Sequence, residues 1–436
     1  MELQIQSSTT LNHDHDHPNS TPSKLPLSIF DLFALNFHTA YLLFFNPPTS
    51  PNTNIIQALS KTLTHFPTLS GHLDTTTNPS HPCILLSSDT SGVLLIQAST
   101  TSKLEDLSPF DPSPEFNILH PCLQNPHHLL QVQLTRFSCG GLALGVTVHH
   151  RVADGHSMSS FFTAWGDMLR SHFIKHLPLF DRSLFIPRRP PRCEYDHRGF
   201  EFLPVPPDHT GFPESPINVE QKKITNIKLH YSSEFITTKL KAPMREKHTS
   251  FEALLAHLWR KISVARRLET NQKTQVSISV NGRRRLRPPV TDEFFGNLVL
   301  AAYPSATVGE ILEGGVEVAA RLIRNAVKKI GDDYFRSVID FRALHEEEEL
   351  VPVFEALGNV LSPNLEADSW LGLGFERVNM GGAGGGLRAC MPAWIPAEGI
   401  IIFVPTVSGD DGGVDVVVTL FEEHVRVLKE ISHSLD

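Results

Sequence analysis

The stretch Thr147-Val148-His149-His150-Arg151-Val152-Ala153-Asp154-Gly155 is where a proton-transfer group meets an abrupt change of sequence pattern. Histidine is the side chain whose ordinary titration lies nearest physiological pH, so an imidazole at position 150 can take a proton from a nucleophile. On one helix His150 and Asp154, four residues apart, would share a face as metal ligands do. Across a strand end and a turn they need not converge. That favours separate jobs, with His150 as general base and Asp154 as a structural brace acting through backbone or arginine contacts. A packed histidine beside an ordinary turn aspartate is the alternative.

The flanking pattern sets this geometry. Leu130, Val132 and Leu134, and then Leu142, Leu144, Val146 and Val148, alternate with other residues, the signature of two strands joined across positions 138–141. His150 therefore ends a strand. Met158, Phe161, Phe162, Trp165 and Leu169 then recur at helical spacing, with Ser157 placed to cap the first turn.

The chain has 436 residues, 40% hydrophobic and 19% charged, with a formal net charge of −9. That length suits two domains and that composition an ordinary globular protein. The acidic balance argues against nucleic acid or an anionic membrane surface as the main partner and mildly favours a cationic small substrate. Cys83, Cys122, Cys139, Cys193 and Cys390 are scattered, without a CxxC pair, so neither a disulfide framework nor a zinc site is expected. No apolar run reaches the roughly 18 residues of a membrane span. The N-terminus lacks a secretory pattern. A cytosolic monomer is the expectation. In the first 24 residues, His13, His15 and His17 alternate with Asp14 and Asp16, a tract that binds metal adventitiously more readily than functionally.

Residues 149–155 resemble the HHxxxDG signature of the plant BAHD acyltransferases, which move an acyl group from coenzyme A to an alcohol or amine. The likeness covers nearly all of the chain beyond residue 24. It implies His150 as the general base and an α/β protein of two similar-sized domains, each a mixed β-sheet flanked by helices, with a solvent tunnel between them. Acyl-CoA is then a co-substrate, and no cofactor is permanently bound. The expected boundaries are a flexible polar tail (1–24), a first domain (25–190), a proline-dense crossover (191–217) and a second domain (218–436).

Further stretches carry the resemblance. Pro26-Leu27-Ser28-Ile29-Phe30-Asp31 and His197-Arg198-Gly199-Phe200-Glu201-Phe202 resemble the clade that acylates amines, with agmatine coumaroyltransferase its familiar member. Thr249 and Ser250 open a helix, with Ser250 a fitting N-cap; in the family the matching hydroxyls lie near coenzyme A, and capping alone is the other use. Arg283-Arg284-Arg285, followed by Phe295-Gly296-Asn297, resembles the segment whose arginines pair with a structural aspartate and sit near the cofactor. Arg283 or Arg285 is the partner of Asp154, and Arg285 a coenzyme contact. Ser369-Trp370 resembles the pair whose tryptophan lines the transfer channel. Asp368, before it, can salt-bridge a cationic acceptor or face solvent. Asn379 stands where the family has a structural aspartate, which puts an arginine at risk of lying unpaired.

Helices are expected over 308–330, which Val308 opens, and over 344–356, with Glu346 to Glu349 as the solvated face of the second. Lacking a GxSxG or an activated cysteine, the sequence favours direct transfer in a ternary complex over an acyl-enzyme. The functional expectation is N-acylation of a small amine such as agmatine, tryptamine or a polyamine with a hydroxycinnamoyl group. The alternatives are O-acylation of an alcohol, or a weakened family member that only binds ligand.

Overall fold

Leu130–Arg136 and Leu142–His149 pair antiparallel from Leu130–Val148 to Arg136–Leu142, as the alternation predicts. The structure, a computed structural model, describes residues 1–11, 23–78, 81–86, 92–121, 127–204, 223–353, 358–381, 386–407 and 411–435. The histidine tract at 13–17, Cys122, most of the proline stretch 204–216 and the glycines 382–385 lie outside the described residues. The strand pair is the middle of a six-stranded mixed sheet in the order Gln4–Leu11, Val93–Ser99, Leu130–Arg136, Leu142–His149, His38–Phe45, Leu387–Pro392. Helices Asn52–Leu63 and Gly155–Ser171 share an apolar cluster with its inward residues, including Leu144, Val146 and Val148. Met158, Phe161, Phe162 and Trp165 of the second helix are fully buried, each such side chain stabilising by about 1.5–3 kcal/mol. The Trp165 indole also donates to Ile55 O at 2.9 Å. A helix anchored this firmly fixes the position of its first turn.

The other main sheet runs Ile224–Tyr231, Val414–Phe421, Ile400–Pro405, Leu365–Ser369, Lys273–Asn281, Val299–Ala302. Val276, Ile278, Leu365, Ala367, Ile401 and Phe403 point to one face, into a cluster shared with helices Ser250–Ala265, Gly315–Lys329 and Glu422–Ile431. By the two-residue period, Ser277, Ser279, Glu366 and Asp368 point to the opposite face. The fold is the α/β arrangement of mixed sheets and flanking helices that the resemblance implies.

Several sequence expectations are corrected. The flexible tail over 1–24 begins instead with an edge strand, Gln4–Leu11, antiparallel to Val93–Ser99. Its side chains are mostly polar and exposed, so no apolar alternation marks it; the backbone ladder and the bonds Gln6–Ser99 and Gln97–Ser7 hold it. The helix expected over 308–330 breaks into Val308–Glu313 and Gly315–Lys329, because Gly315 adopts a φ of 69° that favours glycine. Among the described residues of 344–356 the expected helix is absent. Asp332–Leu344 ends where that expectation begins, and Leu350–Pro352 is a strand against Phe202–Pro204. The acidic run Glu346 to Glu349 follows a helix C-terminus, where the helix dipole disfavours anions, so the chain turns there rather than extending the helix. The strand Leu387–Pro392, far along the chain, completes the first sheet, so the chain crosses back over the expected 191–217 division.

Candidate active site

His150 follows the last residue of the strand Leu142–His149. Its N–H donates to Phe37 O and its carbonyl accepts from Asn297 Nδ2, both at 3.0 Å, so the backbone is pinned from two sides. Nδ1 is buried without a hydrogen-bond partner, and the residue keeps partial exposure. Nε2 is then the nitrogen open to a reactant. The neighbouring His149 is a different case. Burial, with help from His38, Arg151 and His150, pushes its imidazole down to about 3, so it stays neutral, packed edge-on against His38 at 4.9 Å.

Asp154 does not touch the His150 ring. It is the N-cap of helix Gly155–Ser171, accepting from Ser157 N at 2.9 Å. Ser157 was the expected cap; the helix begins earlier, and the Ser157 hydroxyl instead donates to Gly296 O. Arg283, not Arg285, is the aspartate's partner. Its Nη1 and Nη2 donate to the two carboxylate oxygens at 2.7 and 3.1 Å, and Leu298 N adds a bond at 3.1 Å. Burial pushes the Asp154 carboxyl up, but the Arg283 guanidinium and the Ser157 N–H outweigh it and hold the group below the ordinary carboxylate range. Arg283 is 1% exposed and also reaches Ser157 Oγ, Phe294 O and Gly296 O. At Gly296 the chain has a φ of 145°, and a Cβ there would stand 2.6 Å from the Arg182 guanidinium, so glycine is required.

A second buried carboxylate does similar work. Asp31 Oδ1 accepts from Asn297 N at 2.9 Å and Asn297 Nδ2 at 3.1 Å. The same Nδ2 donates to the His150 carbonyl, so Asp31, Asn297 and His150 form a chain. Sequence reasoning placed Asp31 in a family motif without assigning it this part; its 266-residue separation from Asn297 leaves no local signal.

Asp368 and Trp370 come from the other sheet. Trp370 N donates to Phe403 O at 2.8 Å, and its ring stacks on Tyr41 at 5.2 Å and on Phe375 at 5.2 Å, bridging the two halves of the molecule. Asp368 is largely embedded yet keeps partial exposure. Burial pushes its carboxyl up, against the Ser279 hydroxyl and His150, which pull it down. Glu366, two residues earlier on the same face, is pushed up to about 8 by burial and by Asp368. The residue pattern from Leu365 to Ser369 held this second acid, which sequence reasoning did not single out.

The remaining candidates lie elsewhere. Thr249, not Ser250, caps helix Ser250–Ala265, in a reciprocal box with Glu252. The Ser250 hydroxyl accepts from Lys241 Nζ at 3.5 Å. Arg285 Nη1 is committed to Val327 O and Ile330 O at the end of helix Gly315–Lys329. Asn379 Oδ1 accepts from Gly381 N at 2.9 Å, and its backbone packs where a Cβ on Gly166 would come within 2.9 Å. A surface recess of about 350 Å³ near Met168 and His172 lies at the far end of the helix that Asp154 caps, about 20 Å away by helix rise, and includes none of these residues. Among the described residues no His, Cys, Asp and Glu cluster could hold a metal, and no helix is long and apolar enough to cross a membrane.

The chain matches the Transferase family over residues 1–435. It is 35% identical to agmatine hydroxycinnamoyltransferase 1 of Oryza sativa subsp. japonica, covering 100% of this chain and 99% of that protein. It is 34% identical to agmatine coumaroyltransferase-1 of Hordeum vulgare, covering 100% of both. Putrescine hydroxycinnamoyltransferase 3 of Oryza sativa subsp. japonica is 36% identical over 94% of each. In fold, the chain is similar to vinorine synthase, with a TM-score of 0.75 at 20% identity over 99% of this chain and 98% of that one. It is also similar to F. graminearum TRI101 solved with coenzyme A and deoxynivalenol, with a TM-score of 0.68 at 16% identity over 94% and 97%. The chain therefore belongs to the Transferase family of acyltransferases.

Proposed function

We propose that this protein acylates a small cationic amine, taking a hydroxycinnamoyl group from coenzyme A, and that His150 is the general base. The amine rather than an alcohol is favoured by one observation: Glu366 and Asp368 lie together on the inward face of Leu365–Ser369, and neither has a lysine or arginine partner among the described residues. Uncompensated buried carboxylates are costly, and an alkylammonium or guanidinium supplies the missing charge. The named activities of the relatives on agmatine and putrescine support the same acceptor class. His150 Nε2 takes a proton as nitrogen attacks the thioester carbonyl, and donors near Trp370 meet the oxyanion.

Trp370, stacked with Tyr41 and Phe375, offers a flat apolar wall that suits an aromatic acyl group. Thr249 and Ser250 open a helix beside Lys241, a setting that attracts the phosphates of coenzyme A. Arg285 is assigned to the frame instead, since its guanidinium closes a helix end. The enzyme works as a monomer in the cytosol.

The test is thiol release and amide formation from coumaroyl-CoA with agmatine, putrescine, tryptamine, shikimate and quinate. Agmatine or putrescine is expected to be preferred. A preference for shikimate or quinate over every amine would sink the acceptor class, and no thiol release with any acceptor would favour a ligand-binding role.

A further inference from the structure

An amine that reaches the channel at neutral pH is an ammonium, and the amide nitrogen it becomes has lost two protons. The first must leave before nitrogen has a lone pair to attack with; the second leaves as the C–N bond forms and the C–S bond breaks. His150 has one open nitrogen and carries one proton at a time, and that proton is needed by the departing thiolate. The other is lost either to bulk water before the amine binds or to a separate acceptor at the site, and an acceptor at the site spares the enzyme from waiting for the scarce neutral amine.

Glu366 and Asp368 meet the requirement geometrically. They are two apart on one strand, so both side chains leave the same face about 6–7 Å apart along the chain. Both keep partial exposure. Asp368 is influenced by His150, and Glu366 by Asp368. The titratable groups facing them are His150 and Tyr41 from the first sheet and Tyr303 beside Glu366, with the Ser279 hydroxyl on Asp368. Burial pushes both phenols up, so they keep their protons and do not compete. Among the described residues no lysine or arginine contributes to the environment of either carboxylate.

We propose that Glu366 and Asp368 together are the first proton acceptor: the pair takes one proton from the incoming ammonium and releases it to water, while His150 takes the second and delivers it to the coenzyme A thiolate. The inference rests on the amine-acylating reading above. Atoms balance, since ammonium and thioester give amide, thiol and one solvent proton. The raised proton affinity of the pair supports the step, because an ordinary carboxylate is too weak a base to hold an alkylammonium proton.

The test follows kcat/KM from about pH 6 to pH 10 for wild type, Glu366→Gln and Asp368→Asn, the second variant covering the case in which the first misfolds. Two acceptors are compared, butylamine and a fluorinated butylamine of low basicity that is already neutral at the assay pH. Butylamine has no second cation, so loss of a distal charge contact cannot explain an effect. At neutral pH the variants are expected to lose about tenfold more kcat/KM on butylamine than on the neutral amine, with the rise in rate displaced to higher pH on butylamine alone. Equal losses on the two amines, or a higher KM with an unmoved pH profile, would overturn the proposal and leave the pair a charge contact or a structural one. A wild-type enzyme that makes no amide from any amine would overturn the functional reading itself, whereas an active wild type with unshifted variants overturns only this step.

Discussion

Removing the Asp154 carboxylate tests the frame of the site directly. In Asp154→Ala, Arg283, 1% exposed, keeps its charge but loses both bonds to the acid. An uncompensated buried charge of this kind costs about 3–5 kcal/mol. The lost N-cap adds about 1 kcal/mol, and the Leu298 N–H is left without its acceptor, worth about 1–3 kcal/mol. These terms share one carboxylate and do not add. The guanidinium also keeps Ser157 Oγ, Phe294 O and Gly296 O and lies 5.6 Å from the Phe294 ring centre. We expect about 4 kcal/mol, a large part of the roughly 5–15 kcal/mol that holds a domain together. Asp154→Asn preserves shape and cap and is expected to cost about half of that. Adding Arg283→Met to Asp154→Ala removes the stranded charge, so the double variant is expected to be more stable than the sum of the singles by about 2 kcal/mol. Urea unfolding followed by tryptophan fluorescence measures all of these. A loss under about 1 kcal/mol in Asp154→Ala, or strict additivity in the double variant, would refute the claim that this ion pair ties the His150 loop to residues 283–298.

Other expectations are narrower. His150→Ala should lower kcat by roughly 10² to 10⁴ with little change in unfolding, because the ring makes no hydrogen bond that the fold needs; full activity in the folded variant would remove the base assignment. Asn379→Asp should stay within about 0.5 kcal/mol of wild type, since aspartate can accept the same Gly381 N–H; a clear loss in thermal melting would mean that the site is adapted to the neutral amide. Asp368→Asn should raise KM for agmatine roughly tenfold and leave that for coumaroyl-CoA nearly unchanged; equal agmatine kinetics would clear Asp368 of cation binding. Burial and Asp368 push the Glu366 carboxyl up to about 8 from its ordinary 4.5, so its stability contribution is complete at acid pH and is lost as pH rises through that interval. The Tm of Glu366→Gln should therefore gain on wild type between those pH values and level off above them, and a difference independent of pH would mean that the carboxyl is not strained by burial.

What was legible in the sequence was local. The alternation that ends at His150 and the helical spacing after Gly155 place the base at a strand end, because both patterns need only near neighbours. Helix boundaries were less secure wherever a cap decided them: Asp154 and Ser157, or Thr249 and Ser250, are equally good capping types, and only the backbone angle chooses between them. Gln4–Leu11 escaped notice because an edge strand with a polar face has no apolar period to detect. The choice of Arg283 over Arg285 could not be read either, since it depends on which of two guanidiniums the turn after Asn281 aims inward.

The acidic pair lies between these cases, and it shows where a pattern argument turns. Leu365, Ala367 and Ser369 alternate with Glu366, Asp368 and Trp370, and the ordinary rule of apolar in, polar out assigns the acids to solvent. The register corrects it. Ser277 pairs with Glu366 and Ile402 with Asp368, in the interior of a six-strand path whose apolar face is already covered by helices. The opposite face therefore looks not to bulk water but to the sheet that carries His150, as the mutual influence of Asp368, His150 and Tyr41 attests. Once the polar face of a central strand is enclosed, each carboxylate on it is a cost to folding that only a partner can offset. Two such residues with no lysine or arginine partner among the described residues, at the place where a nucleophile must meet a base, are the strongest sign in this chain that the missing partner is the substrate.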